Sequence, residues 1–263
     1  MSRPATAPEC VLCSGATRPW CTEPRLLVEC ETCGFIFQAI PPADPLGNYR
    51  RRGYDRIRRA HGGPAAFARF HHDLRVARNR VQSVRPLAPS KGVWLDVGAG
   101  NGAILAAADE AGYEAVGVEL HPETAGELQA VLGRRVLSMA EAITDWLRPI
   151  AVLSFYDVLE HLVEPRGVLR RLCEDLAVGG VLAIEVPDAG SARARNLRGR
   201  WKHVKPDEHL GYFTEVSLRA LVARCGCFHR AHRVSRRESI DTEGRSVRVP
   251  SDDKLHLIWR KES

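Results

Sequence analysis

Four cysteines stand in two pairs, Cys10-x-x-Cys13 and Cys30-x-x-Cys33, with sixteen residues between the pairs. A thiolate at each end of a two-residue bend puts both sulfurs on one side of a tight turn. Two such turns supply the four ligands of a tetrahedral zinc site. Ser14-Gly15 and Gly34 follow the pairs and provide the small residues that such bends need. A segment this short has almost no apolar core of its own, so a structural Zn2+ would contribute much of its folding energy. Cys21 lies between the pairs and reads as a packing residue, as do Cys173, Cys225 and Cys227.

A second constellation combines glycines with acids. Val93-Trp94-Leu95-Asp96-Val97 runs into Gly98-Ala99-Gly100-Asn101-Gly102, and Ala115 to Glu119 is the next apolar run. Glu119 ends that run about twenty residues past the glycines, where a carboxylate holds a ribose diol. Gly98-x-Gly100-x-x-Ala103 also satisfies the dinucleotide fingerprint in its Gly/Ala form. Charge separates the two ligands. Asp96 immediately precedes the bend, where a carboxylate repels a pyrophosphate and attracts a cationic amino-acid tail. S-adenosylmethionine carries an ammonium and a sulfonium and no phosphate, so the electrostatics favour it.

These residues need a scaffold, and the periodicity supplies one. Beyond residue 91, short apolar runs alternate with helical stretches, which predicts a parallel sheet covered by helices on both faces. The predicted strands are 93–97, 115–119, 135–137, 150–155 and 181–186. Ahead of them the spacing predicts a ribbon-like segment over residues 1–45, with strands at 26–28 and 35–37. A helical connector follows over 46–90. Its helix, Pro64 to Arg85, carries Phe67, Phe70, Leu74, Ala77, Val81 and Val84 at intervals of three and four, and Pro86 and Pro89 end it. The third unit, 91–263, holds a basic insert at about 187–213. In the tail, Thr214 is a candidate N-cap for a helix to residue 224. Residues 229–234 and 255–259 alternate like an antiparallel pair, and the polar stretch 235–253 between them reads as a mobile loop.

Taken in order, the motifs resemble those of the class I S-adenosylmethionine-dependent methyltransferases. Leu95-Asp96-Val97-Gly98-Ala99-Gly100-Asn101-Gly102 is similar to their first motif, and Glu119 to the acid after their second strand. Phe155 to Leu162 is similar to their fourth-strand motif, and Gly179 to Pro187 to their fifth. Trp201, His209-Leu210-Gly211-Tyr212-Phe213-Thr214 and Leu221 to Phe228 resemble blocks of one branch. That branch often carries a four-cysteine segment at its front, and Cys33-Gly34-Phe35-Ile36-Phe37 fits it. The resemblance implies an α/β fold with a Rossmann-like sheet behind a small zinc ribbon. It places Asp96, Gly98 and Gly100 near the methionine tail of the cofactor, with Glu119 on the ribose and Leu120 beside the adenine. Met139 and Ala140 would stack on the base, and Asp157 would border the cofactor. His161, after the fourth strand, and His209, in the insert, are the catalytic candidates. Asp157-x-x-Glu160-His161 also resembles the metal-binding pattern of ubiquinone-pathway O-methyltransferases, which makes a divalent cation a candidate ligand.

Composition narrows the field further. In 263 residues the net charge is +6, and most of the positive charge is arginine. No apolar run nears the roughly 18 residues of a membrane span, and the first residues show no apolar leader, so a cytoplasmic location is expected. Arg50 to Arg59 and the insert residues Arg193, Arg195, Arg198, Arg200, Lys202, His203 and Lys205 form two basic stretches. Placed together at the mouth of a cleft, they would suit an anionic small-molecule acceptor. The leading expectation is O-methylation of a sugar, nucleotide-sugar or secondary-metabolite hydroxyl. A sugar C-methyltransferase is second, since relatives of that kind carry a further C-terminal domain. An RNA methyltransferase gripping nucleic acid with the ribbon and the arginines, and a non-catalytic zinc-ribbon binding module, are the other readings. Few aromatics interleave the arginines, which disfavours the RNA reading.

Overall fold

The computed structural model describes residues 8–44, 64–226 apart from 121, 145 and 147, then 228, 231–234, 239–240, 246–247 and 253–262. Arg50 to Arg59, Cys227 and most of 235–253 lie outside the described residues. At the front, β1 (Thr17–Cys21), β2 (Leu27–Cys30) and β3 (Ile36–Gln38) form an antiparallel meander. β1 escaped the sequence reading because Pro19 interrupts it. The strand survives as an edge, with its register shifted between Pro19 and Cys21.

The helix α1 (Pro64–Val84) leads into alternating elements: β4 (Val93–Val97), α2 (Ala103–Glu110), β5 (Glu114–Glu119), α3 (Pro122–Leu132), β6 (Val136–Ser138) and α4 (Met139–Thr144). Next come β7 (Ile150–Tyr156), a 3-10 turn (Leu159–His161), α5 (Pro165–Glu174), β8 (Leu176–Pro187), α6 (Ala192–Leu197) and β9 (Gly211–Tyr212). The chain closes with α7 (Glu215–Ala223), β10 (Ala231–Arg233), β11 (Ser239–Ile240), β12 (Ser246–Val247) and β13 (Lys254–Arg260). Thr214 caps α7 in a reciprocal box with Ser217.

Among the described residues the main sheet has the order β10-β13-β8-β7-β4-β5-β6, with β6, β5, β4, β7 and β8 parallel and β13 and β10 antiparallel. Every residue of β4 and β7 is buried, as expected of strands covered on both faces. β8 begins five residues earlier than expected. Gly179-Gly180 looks like a turn, yet the strand continues through it to pair Leu176 with Ile150 across a register shift. The stretch read as a mobile loop contains the antiparallel pair β11–β12. The strand order reverses between β4 and β7, and a crevice at such a switch point is the expected ligand site of an open α/β sheet.

Leu74, Ala77, Val81 and Val84 turn the apolar stripe of α1 into one face of the core, against Ala103, Ala107, Trp94 and Ile258. Its other anchor is electrostatic. Arg80 reaches Glu185 at 2.5 Å and Asp157 at 3.1 Å, and Lys254 reaches Asp157 at 2.7 Å and Glu185 at 3.4 Å. Glu185 is fully buried, so an uncompensated charge there is costly. Arg80→Ala is expected to lower the unfolding free energy by about 3–5 kcal/mol, read as a reduced midpoint in urea with the slope unchanged.

The ribbon is continuous with the rest of the fold. β3 pairs with β9, Ile36 opposite Tyr212 and Phe37 opposite Gly211. Leu12, Val28, Phe35 and Phe37 share a core with Phe213, Leu218 and the strands β4, β7 and β8. Trp20, Leu27 and Ile36 pack with Ala189, Ala194, Trp201 and Tyr212 of the insert.

Candidate active site and four-cysteine centre

Folding brings the two cysteine pairs together. Cys10 Sγ lies 3.7 Å from Cys33 Sγ and Cys13 Sγ 3.5 Å from Cys30 Sγ, and all four sulfurs fall within 4.8 Å of one another. Zinc at about 2.3 Å from each of four tetrahedral sulfurs would space them about 3.8 Å apart. Each bend is closed by a backbone hydrogen bond to its first cysteine, from Ser14 N–H to Cys10 O and from Gly34 N–H to Cys30 O. Ser14 and Gly34 sit at φ 58° and 68°, the left-handed region that Gly34 occupies without strain. Cys21 is half-buried, donates to Arg25 O and is not a member of the cluster. The donor set fits a structural zinc.

At the reversal between β4 and β7, Val97, Gly98, Glu119, Leu120, Met139, Val158, His161 and Leu162 line a cleft open to solvent. The lining offers one carboxylate, Glu119, and one imidazole, His161, among apolar side chains, which suits a ribose beside a heterocyclic base. Glu119 Oε1 accepts the Gly100 N–H at 2.7 Å, so the acid is fixed across the bend. Gly98 has φ +76°, and a Cβ there would meet Val158 Cγ2 at 2.4 Å. The bend therefore approaches the start of the 159–161 turn as closely as a bare backbone allows.

Asp96 immediately precedes Val97 of the cleft lining. It is 2% exposed, and Ser154 Oγ donates to it at 2.6 Å while accepting from Trp94 Nε1 at 2.8 Å. Burial pushes its carboxyl up to about 7, opposed by the Ser154 bond and the Arg80 charge and reinforced by Glu119.

Of the remaining sequence candidates, three stand off the cleft wall. Ala140 is exposed on α4, whose buried face carries Met139 and Ala142. Asp157, at φ +61°, faces Arg80 and Lys254 and is tied to both. His209 is 4% exposed, its ring 4.7 Å from that of His161. Burial and the neighbouring imidazole of His161 hold it down to about 2, so it stays neutral. His161 does line the cleft, and its Nδ1 is 2.7 Å from Glu208 O. A carbonyl only accepts, so Nδ1 carries the proton and Nε2 carries the lone pair.

Glu160 is the residue that sequence reasoning underweighted. It is 1% exposed, and burial beside Asp157 raises its carboxyl well above the usual range. Among the described residues, neither its Oε2 nor His209 Nδ1 has a hydrogen-bond partner. Glu160, His161 and His209 offer three ligand atoms within 4.8 Å of one another. The sequence pattern paired Glu160 with Asp157 instead, because the contribution of His209 crosses forty-eight residues and no local spacing reveals it.

The basic insert points largely at the ribbon. Arg195 reaches Glu29 at 2.5 Å, Arg198 donates to Trp20 O at 2.6 Å, and Asp207 pairs with Arg25 at 3.2 Å. Arg193 lies 3.6 Å from Asp253 and Lys205 3.7 Å from Glu208. Arg193, Arg195 and Lys205 thus have acidic partners within the protein, and Arg198 a backbone carbonyl.

Residues 69–228 match a family model described as a methyltransferase domain. The chain is 34% identical over 128 residues to a trans-aconitate 2-methyltransferase of Methylobacterium radiotolerans, a match covering 48% of this chain and 49% of the relative. It thus spans about half the length of that curated relative. A SAM-dependent methyltransferase from Archaeoglobus fulgidus has a similar structure, with TM-score 0.53, 16% identity, and 72% of this chain and 94% of that one covered. The N-methyltransferase NodS from Bradyrhizobium japonicum, solved with S-adenosyl-L-homocysteine, gives TM-score 0.50 at 16% identity, covering 84% of this chain and all of NodS. At such identities the likeness is one of fold. The family match covers more than half of the chain and contains the glycine bend, Glu119 and the switch-point cleft, and the chain belongs to the class I S-adenosylmethionine-dependent methyltransferase domain family.

Proposed function

We propose that this protein transfers a methyl group from S-adenosylmethionine to a hydroxyl of a small molecule, with His161 as the base. The observation that carries the reading is a single ring. His161 lines the same cleft as Gly98 and Glu119, with its Nδ1 proton committed to Glu208 O. When bound, the cofactor supplies an already activated methyl group. The protein aligns the acceptor, excludes water and removes one proton, and alignment alone can supply several kcal/mol. Glu119 holds the ribose, Leu120 and Met139 flank the adenine, and Asp96 draws the cationic methionine end toward Gly98 and Gly100. A hydroxyl set against His161 Nε2 gives up its proton there as the oxygen takes the methyl, and buried His209 keeps a second positive charge away from the ring. Zn2+ in the four-cysteine centre has a structural role.

The reading is tested with methyl-tritiated cofactor and panels of sugars, nucleotide-sugars and phenols. Label should move into one chemical class, and His161→Ala should slow that transfer by about 10²–10⁴-fold. Label entering carbon would favour a sugar C-methyltransferase. Label entering RNA would favour the nucleic-acid reading, against which the ribbon-facing arginines weigh. An anionic acceptor draws less support from the insert than its composition alone suggests.

A second reading is favoured by the partnerless oxygen of Glu160. A divalent ion held by Glu160, His161 and His209 would lower the pKa of an acceptor hydroxyl directly. Cobalt titration separates the two. A weak nitrogen/oxygen-type absorption beside the intense thiolate bands would favour the ion, and thiolate bands alone would favour the unaided histidine.

Asp96 makes cofactor affinity depend on pH. Its folded pKa of about 7 lies above the ordinary carboxylate value, so its contribution to stability is fullest at low pH and is lost as pH rises through about 7. A bound cation favours the ionised form, so binding releases a proton below that pH. S-adenosylmethionine affinity is expected to weaken about tenfold per pH unit below about 7 and to level off above it. Calorimetry with Asp96→Asn should show a flat profile.

A further inference from the structure

Gln38 is the last residue of β3, the ribbon strand that pairs with β9. Its side chain is buried, and Nε2 donates to Pro206 O at 2.7 Å and to His209 O at 2.8 Å. Its backbone N–H donates to Leu210 O at 3.2 Å. From the opposite side, His161 Nδ1 donates to Glu208 O and Leu210 N–H donates to Glu160 O at 2.7 Å. Three consecutive carbonyls are therefore held, that of Glu208 by the cleft histidine and those of His209 and Leu210 by Gln38. Beyond them β9 is only two residues long, and Phe35 sits over it so closely that a Cβ on Gly211 would meet its ring at 2.4 Å. So short a ladder fixes little by itself. The grip begins at the metal centre, because β3 starts three residues after Cys33 and Cys30 N–H donates to Phe35 O at 2.8 Å.

We propose that Gln38 is a positioning residue, through which the four-cysteine centre sets the placement of His209 and, by way of Glu208, the tautomer of His161. On this view the ribbon is a clamp on the roof of the active site. Its metal governs the chemistry without touching substrate. The functional consequence rests on the assignment of His161 above, whereas the geometry can be tested without catalysis.

The test uses the full, zinc-loaded chain, nitrogen-labelled, as wild type, Gln38→Glu and Gln38→Met. Glu removes the donor and sets a carboxylate against two carbonyls, and Met keeps the shape without the donor. In wild type the imidazole spectrum should show His161 as a single Nδ1–H tautomer. In both variants that signal should shift toward a mixture of tautomers, and amide exchange over 207–212 should accelerate about tenfold or more, as expected when buried bonds are lost. Zinc content and affinity for S-adenosylhomocysteine should not change. If the Glu variant fails to fold, the Met variant decides. Chelating the zinc from wild type should reproduce the same two changes. An unaltered His161 tautomer and unaltered exchange in the Met variant, or in the verified zinc-free protein, would overturn the proposal. Failure of wild type to bind S-adenosylhomocysteine would instead count against the cleft assignment, leaving the tautomer comparison in the free protein to decide this one.

Discussion

His161→Ala is expected to lower methyl-transfer turnover by about 10²–10⁴-fold, the usual worth of a positioned base, with S-adenosylhomocysteine affinity essentially unchanged. The ring sits at the cleft wall with its Nδ1 fixed by Glu208 O. Removing it leaves Glu119, Gly98 and Met139 in place. His209 offers no substitute base, since it is buried, neutral and behind the cleft. The loss should appear in kcat rather than in the cofactor KM, because the lost contact matters most as the proton leaves. His161→Gln should be no better, since an amide has no basic nitrogen. A loss confined to cofactor binding would reassign the ring to the cofactor.

The second large effect is expected at Gly98. A methyl there must displace Val158 Cγ2 from 2.4 Å and adopt φ +76°, two penalties that act at the same point. Overpacking typically costs about 1–3 kcal/mol, and a left-handed alanine adds about 1 kcal/mol or more. The strain falls between the bend and the turn that carries His161, so the cleft itself is distorted. Gly98→Ala should reduce S-adenosylhomocysteine affinity by about 100-fold, an amount that corresponds to about 2.7 kcal/mol, and should lower the melting temperature. Adding Val158→Ala relieves the contact but not the dihedral, so the double variant should recover part of the affinity. Recovery to the wild-type value would show that the dihedral carries no cost.

Much of the scaffold was legible in the sequence. The strands 93–97, 115–119 and 150–155 lie within β4, β5 and β7, because segments covered on both faces must be continuously apolar. The capped helix after Thr214 and the closing pair at 231–233 and 254–260 were readable from capping chemistry and alternation. The cysteine spacing forecast a cluster that the fold does assemble. What stayed hidden was long-range. β1 was concealed by Pro19, the first five residues of β8 by Gly179-Gly180, and β9 by its two-residue length. The pairing of β3 with β9 joins residues about 175 positions apart. That pairing is what puts His209 behind His161 and turns Arg195 and Arg198 toward the ribbon. Asp157 borders the cofactor by motif position, and its ion pair with Arg80, on a helix seventy-seven residues earlier, is one that no local pattern announces.

The central claim is that the crevice between β4 and β7, closed by Glu119, is where the adenosyl cofactor sits. Calorimetric titration of S-adenosylhomocysteine into wild type and Glu119→Gln tests it most directly. One saturable site per chain is expected in wild type. Affinity should fall by about 10-fold to 100-fold in the variant, the usual worth of a charged hydrogen bond of about 1.5–3 kcal/mol. No heat of binding in wild type, or equal affinity in the two proteins, would contradict the account.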